Sequence, residues 1–321
     1  MSTSLAVVEP ASNLPAALGP DLASAVELAK AEKALSTRKA YGTDFRIFRA
    51  WCDSKGVASL PAAPETVASF LAAQSRSGTK ASTIGRRVAA IRYAHKLAGV
   101  PTPTDDEAVK ATVRGIRRTH GAAKVRKSPA VSAKVLAMVA TAPGGLTGLR
   151  DTALLLLGFG GAFRRSELVA LDDADIVETE TGLLVVIRHS KTDQEAEGET
   201  IAISRGDRAC PVKALRAWLD AAGIETGAIF RPINKSGVVA PSRLSDRSVA
   251  NIIKAYAERA GLDPAVFSGH SLRAGFLTSA AGNGASIFKM MDVSRHKSVD
   301  TLRGYIRDAE LFKDHAGAGL L

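Results

Sequence analysis

Six polar residues in the second half of the chain have types and an order that suit work on a phosphate ester. Tyr305 lies between two arginines in Arg303-Gly304-Tyr305-Ile306-Arg307, and His296 stands nine residues before it. His270 and Arg273 are three apart in Gly269-His270-Ser271-Leu272-Arg273, a spacing that puts both on one face of a helix. Arg164 follows twelve uncharged residues and opens Arg164-Arg165-Ser166-Glu167-Leu168. Lys191 begins the polar turn Lys191-Thr192-Asp193.

Breaking a phosphodiester requires stabilising charge on two non-bridging oxygens, and two fixed guanidiniums suit this because they stay charged and bind bidentately. Arg164 and Arg273 fit that role. A tyrosine hydroxyl has a pKa of about 10, so as a nucleophile it needs a proton acceptor or a positive field beside it. His270 is the candidate base, Lys191 the candidate donor to the departing oxygen, and His296 a hydrogen-bond partner for the phosphate. Taken singly, each has an ordinary explanation: a glutamate-paired arginine, a solvated loop lysine, a rim tyrosine. The order and spacing of all six argue for one site. No carboxylate cluster accompanies them, and no Walker-type loop or Rossmann fingerprint occurs, so neither a metal, ATP nor any other cofactor is expected.

Positioning these residues requires two kinds of element. Up to about residue 120 the pattern is helix after helix. Tyr41, Phe45, Phe48 and Trp51 make one apolar stripe ended by Gly56; Pro64 opens a second helix with Val67, Phe70 and Leu71, ended by Gly78. Ser82 begins a third with Ile84, Val88 and Ile91 on one face and Arg86, Arg87, Arg92 and Lys96 spread over the others. Thr104 and Glu107 have capping-box spacing for a fourth, with Val109, Val113 and Ile116 inward and Arg114, Arg117 and Arg118 outward. Residues 121–130, with Lys124, Arg126, Lys127 and Pro129, lack apolar periodicity and predict a basic linker. Beyond it the patterns predict helices over 131–142, 150–163, 211–222 and 245–260, and two strands, 183–188 and 199–204.

The net charge is +11, with a sequence pI of about 9.8. Residues 1–127 hold 20 Lys and Arg against 10 Asp and Glu, whereas 128–321 hold 23 against 22, so the excess is almost wholly N-terminal. A basic domain attracts polyanions by phosphate contacts and counterion release, and nucleic acid is the commonest such partner. The ten basic residues named between Arg86 and Lys127 are therefore the candidate DNA contacts. Cys52 and Cys210 are far apart, which indicates neither a disulfide framework nor a zinc site and fits a reducing cytoplasm. Residues 1–21 predict a loose tail without a signal-peptide pattern. The longest apolar run, 152–163, is well short of the roughly 20 residues that span a bilayer, so no membrane association is expected.

In these motifs the chain resembles the tyrosine recombinase (phage integrase) family. Phe163-Arg164-Arg165-Ser166-Glu167-Leu168 is similar to the family's first arginine motif, Lys191 falls where its hairpin lysine lies, and His270-Ser271-Leu272-Arg273 is similar to its His-x-x-Arg. His296 and Tyr305 complete the pattern, with Arg295 where the family usually has glycine. The resemblance implies a multidomain α and α+β fold. Its parts are an all-helical, SAM-like core-binding domain over 22–120 and a mostly helical catalytic domain with a small antiparallel sheet over 131–310. It implies a C-shaped clamp on a double-stranded recombination site, with two protomers on one site and four in the synapse. Tyr305 would form a 3′-phosphotyrosyl link and release a 5′ hydroxyl, conserving the bond energy for rejoining without ATP. The tail, 311–321, with Leu311 and Phe312, would either dock on a neighbouring protomer or pack on its own domain.

Overall fold

The chain divides into two compact units, Met1–Val125 and Arg126–Leu321. The computed structural model describes residues 21, 24, 28, 32–121, 127–188 and 198–309. Lys124, Arg126, Lys191, Leu311 and Phe312 lie outside the described residues.

The first unit carries helices α1 (Leu35–Lys55), α2 (Pro64–Arg76), α3 (Ala81–Leu97) and α4 (Glu107–His120). Their apolar stripes meet in one core of Phe45, Phe48, Cys52, Val67, Phe70, Leu71, Ile84, Ile91, Val109 and Ile116. The rings of Phe48 and Phe70 meet edge to face at 5.0 Å, a favoured aromatic geometry. α1 ends where Gly56 adopts a left-handed conformation, as its sequence position predicts. The expected Thr104 capping box does not form. Asp106 caps α4 instead, its carboxylate accepting from Ala108 N, and Thr104 is drawn into a 3-10 turn over Pro103–Asp105. An aspartate carboxylate next to the first turn is favoured over a neutral threonine hydroxyl at that positive helix end.

The second unit contains α5 (Ser132–Ala140), α6 (Gly145–Gly160), α7 (Arg165–Ala170), β1 (Ile176–Glu178), β2 (Gly182–Ile187), β3 (Glu199–Ser204), α8 (Pro211–Ala222), α9 (Asp246–Arg259), α10 (Ser271–Gly282), α11 (Ile287–Ser294) and α12 (Val299–Ala309). The strands form an antiparallel sheet in the order β1-β2-β3, with Val185 opposite Ile201. Leu183, Val185, Ile187, Ile201 and Ile203 alternate inward onto the core that surrounds Trp218, Phe163, Phe230 and Phe267. The Trp218 indole is satisfied there by the Ile229 carbonyl at 2.7 Å.

Two boundaries differ from the sequence expectation. α6 starts at Gly145 rather than at residue 150, because Arg150 and Asp151 are buried as a 2.7 Å ion pair inside the helix and mark no terminus. It also stops before Arg164, which is the N-cap residue of α7 and not the end of a long buried helix. The segment entering α5 is stitched to α10: Ala130 N donates to Ser271 O at 2.9 Å and Ser132 N to Ser279 Oγ at 2.9 Å. This approach depends on Gly275, where a Cβ would stand 1.8 Å from the Ala130 carbonyl oxygen.

Candidate active site

Arg164 and Arg273 are brought together by the turn between α6 and α7. Ala162 has φ 45°, a left-handed conformation that is costly for a residue with a Cβ. The carbonyl of Ala162 accepts from Arg273 Nη1 at 2.8 Å, so a guanidinium with 1% of its surface exposed is held by backbone. Two residues on, Arg164 caps α7. Glu167 reaches back to its backbone N–H at 2.9 Å and takes Nη1 of the same side chain at 2.6 Å. This is the glutamate pairing that Arg164 taken singly suggests.

His270 and Arg273 sit at the start of α10. Ser268 and Ser271 close the preceding turn: Ser268 N donates to Ser271 Oγ at 3.0 Å and His270 N to Ser268 Oγ at 3.2 Å. That turn leaves His270 exposed while Arg273 points inward. α12 carries Tyr305 and packs on α10 and α11 through a small separate core of Leu277, Ala281, Met290 and Leu302. Tyr305 is half-buried at its edge.

His296 lies between the arginines and the tyrosine. Arg273 Nη2 is 3.4 Å from both its ring nitrogens, and its ring centroid is 6.5 Å from that of Tyr305. Burial, then Arg273, Arg164 and His270, push its pKa down to about 4. It is therefore a neutral imidazole at neutral pH. Burial, then Arg164 and Arg295, lower Arg273 to about 9, which still leaves it charged at neutral pH. Burial works to raise Glu167, but Arg295 and Arg164 outweigh it and hold the carboxyl below its ordinary range.

Five of the six sequence-predicted residues thus share one site: Arg164, His270, Arg273, His296 and Tyr305. Lys191 follows β2 in the span 189–197, outside the described residues. Glu167, Ser294 and Arg295 join the site without a role that is legible in the sequence. The signals available were the i,i+3 spacing of Arg164 and Glu167 and a long side chain at the position before His296.

The basic residues of the first unit divide into two sets. Lys96, Arg117 and Arg118 are exposed. Arg86 donates to Asp44 at 2.6 Å, with Arg87 3.7 Å from the same buried carboxylate; Arg92 pairs with Asp105 and Arg114 with Glu107. Lys127, in the second unit, donates to Ala265 O at 2.7 Å.

The phage integrase family model matches residues 132–311, and the model of the phage integrase N-terminal SAM-like domain matches residues 27–98. The chain belongs to the phage integrase family, and it is a tyrosine recombinase, a DNA strand-transfer enzyme. It is similar to an integrase/recombinase XerD homolog of Selenomonas ruminantium, at 43% identity over 88% of this chain and 85% of the relative. It is also similar to the recombinase Cre of Escherichia phage P1, at 27% identity over 83% and 82%. Among solved structures, the fold is similar to a lambda integrase (75-356) dimer bound to a COC′ core site. There the TM-score is 0.61 and the identity 18%, covering 88% of this chain and 92% of that one. No described helix is long and apolar enough to cross a membrane.

Proposed function

We propose that this enzyme exchanges strands between double-stranded recombination sites, with Tyr305 as nucleophile. Tyr305 Oη attacks the scissile phosphorus, an O–P bond forms, and the bond to the 5′ oxygen breaks. The product is a 3′-phosphotyrosyl link and a free 5′ hydroxyl. His270 takes the phenolic proton and Lys191 gives one to the leaving oxygen, so atoms and charge balance with these side chains alone. Arg164 and Arg273 stabilise the charge that develops on the two non-bridging oxygens. Religation runs the same steps in reverse, with the 5′ hydroxyl of another strand as nucleophile.

The observation that carries this reading is the convergence of two arginines and a neutral His296 beside Tyr305. With Nδ1 engaged by Ser294, a neutral His296 donates to a phosphate through a protonated Nε2. In the present arrangement Ser294 receives the Nδ1 proton, so DNA binding would turn the Ser294 hydroxyl and switch the tautomer.

Residues 22–120 form the core-binding domain in this account, and 131–310 the catalytic one. Lys96, Arg117 and Arg118 are its readiest phosphate contacts; Arg86, Arg87, Arg92, Arg114 and Lys127 must first exchange present partners, and Lys124 and Arg126 belong to the same basic set. Two protomers occupy one site, four make the synapse, and the enzyme works in the cytoplasm where its DNA is. A type IB topoisomerase shares the tyrosine chemistry. The two are separated by a supercoiled plasmid carrying two copies of the recombination site: deletion or inversion products support the recombinase, and relaxation alone contradicts it.

A further inference from the structure

We propose that Arg295 is a positioning residue: it braces the turn that carries Arg164 and supports Arg273, through Glu167 and two backbone carbonyls. This rests on the assignment of Arg164 and Arg273 to the scissile phosphate.

Arg295 ends α11 at φ 57°, a conformation that favours glycine, and its side chain is only 1% exposed. A guanidinium in such a place needs a compensating anion and acceptors, and Arg295 has both at its two Nη groups, while its buried Nε has no hydrogen-bond partner. Arg295 Nη2 lies 2.8 Å from Glu167 Oε2 and 3.2 Å from Ala162 O. Nη1 lies 3.1 Å from Gly161 O and 2.6 Å from Val293 O. Three of these four acceptors belong to residues 161–167, the segment that positions Arg164.

Two sharings connect Arg295 to the reacting groups. The Ala162 carbonyl accepts from both Arg295 and Arg273, so the turn and the second arginine are fixed by one oxygen. Glu167 gives Oε1 to the Arg164 side chain and Oε2 to Arg295 and the Arg164 backbone. With Arg295 removed, Glu167 loses one cationic partner, and more of its charge bears on Arg164 and draws it away from a bound phosphate. Arg295 also precedes His296, so a single residue ties the α11–α12 turn to the α6–α7 turn. An ion pair this deeply buried adds little stability that apolar side chains of equal volume could not supply, which leaves orientation as the gain.

The test is a double-mutant cycle on the full chain, read as the single-turnover rate of covalent complex formation with a suicide half-site. Arg295→Met and Arg295→Lys are each made alone and with Arg164→Lys. Half-site affinity is measured on every variant. Arg295→Met should slow cleavage by about 10²-fold, the loss a misplacement near 1 Å produces, while affinity holds within about 2-fold. In the Arg164→Lys background the same change costs clearly less, because the part of its effect that passes through Arg164 is already lost and only the part through the Ala162 carbonyl and Arg273 remains. Should Arg295→Met not fold, Arg295→Lys gives the same cycle, since lysine keeps the charge but cannot span Glu167 and both carbonyls. Equal slowing in both backgrounds, or a wild-type rate in a folded Arg295 variant, overturns the inference. A wild-type rate in Arg164→Lys alone instead removes Arg164 from the phosphate, and the inference falls with that reading.

Discussion

Ser294 Oγ lies 2.7 Å from His296 Nδ1 and gives its own proton to the Met290 carbonyl at 2.5 Å. A carbonyl can only accept, so the imidazole supplies the proton between Ser294 and His296. The free enzyme therefore holds His296 as the Nδ1–H tautomer, with Nε2 as an acceptor toward Arg273. Ser294 and the Met290 carbonyl set the state of the ring before DNA arrives.

Nitrogen NMR of the His296 ring checks this. The expected outcome is a neutral Nδ1–H ring that stays neutral from pH 7 down past pH 5, because burial and the neighbouring arginines lower its pKa to about 4. On binding a core site the proton should move to Nε2. A protonation midpoint near the ordinary 6.5, or a ring already protonated on Nε2 in the free enzyme, contradicts the assignment.

Arg164→Ala and Arg273→Ala should each slow cleavage by about 10²–10³-fold, the loss of one oxyanion donor. Single-turnover kinetics on a suicide half-site reads this directly. A rate near wild type removes that arginine from the reaction.

For Lys191 the test is chemical rescue. Sulfur at the 5′ bridging position leaves without a proton, so Lys191→Ala should be slow on ordinary DNA and largely restored on the sulfur substrate. Equal defects on both substrates assign the acid to another residue.

Much of the site was legible because chemistry fixed residue types: a nucleophile, two permanent cations and two imidazoles in a set order. The amphipathic helices were legible for the same kind of reason, since Phe45, Phe48 and Trp51 recur at helical spacing and Gly56 stops the stripe. The supporting residues were not, because they depend on contacts far apart in sequence. Arg295 meets Glu167 across 128 positions, and nothing local predicts the pair. The left-handed Ala162 carries no turn residue to signal it. α6 was misplaced because a buried Arg150–Asp151 pair looks like a charged helix end. β1, with three residues, was too short for alternation to show.

His95 ties acid stability to the first unit. It is buried, with Nε2 accepting from Ala62 N at 2.9 Å and Nδ1 2.8 Å from Ile91 O, so the neutral ring is satisfied on both sides. Burial lowers its pKa, against a smaller opposite effect of the Ile91 carbonyl. A lowered histidine contributes stability that is present above the unfolded value near 6.5 and is lost as pH falls through the folded value. Urea unfolding of the wild type should therefore weaken more between about pH 7 and 5 than that of His95→Gln, which has no titrating ring. Parallel pH slopes would remove His95 from the acid response.

If Tyr305 itself becomes joined to DNA, the covalent adduct must carry it. Wild-type enzyme is mixed with a core site labelled next to the scissile phosphate, denatured in SDS, digested, and the labelled peptide sequenced by mass spectrometry. The expected result is a phosphotyrosyl adduct on the peptide containing Tyr305, a 5′ hydroxyl on the released strand, and no adduct from Tyr305→Phe although it still binds the site. An adduct on any other residue, or one that survives in Tyr305→Phe, contradicts it.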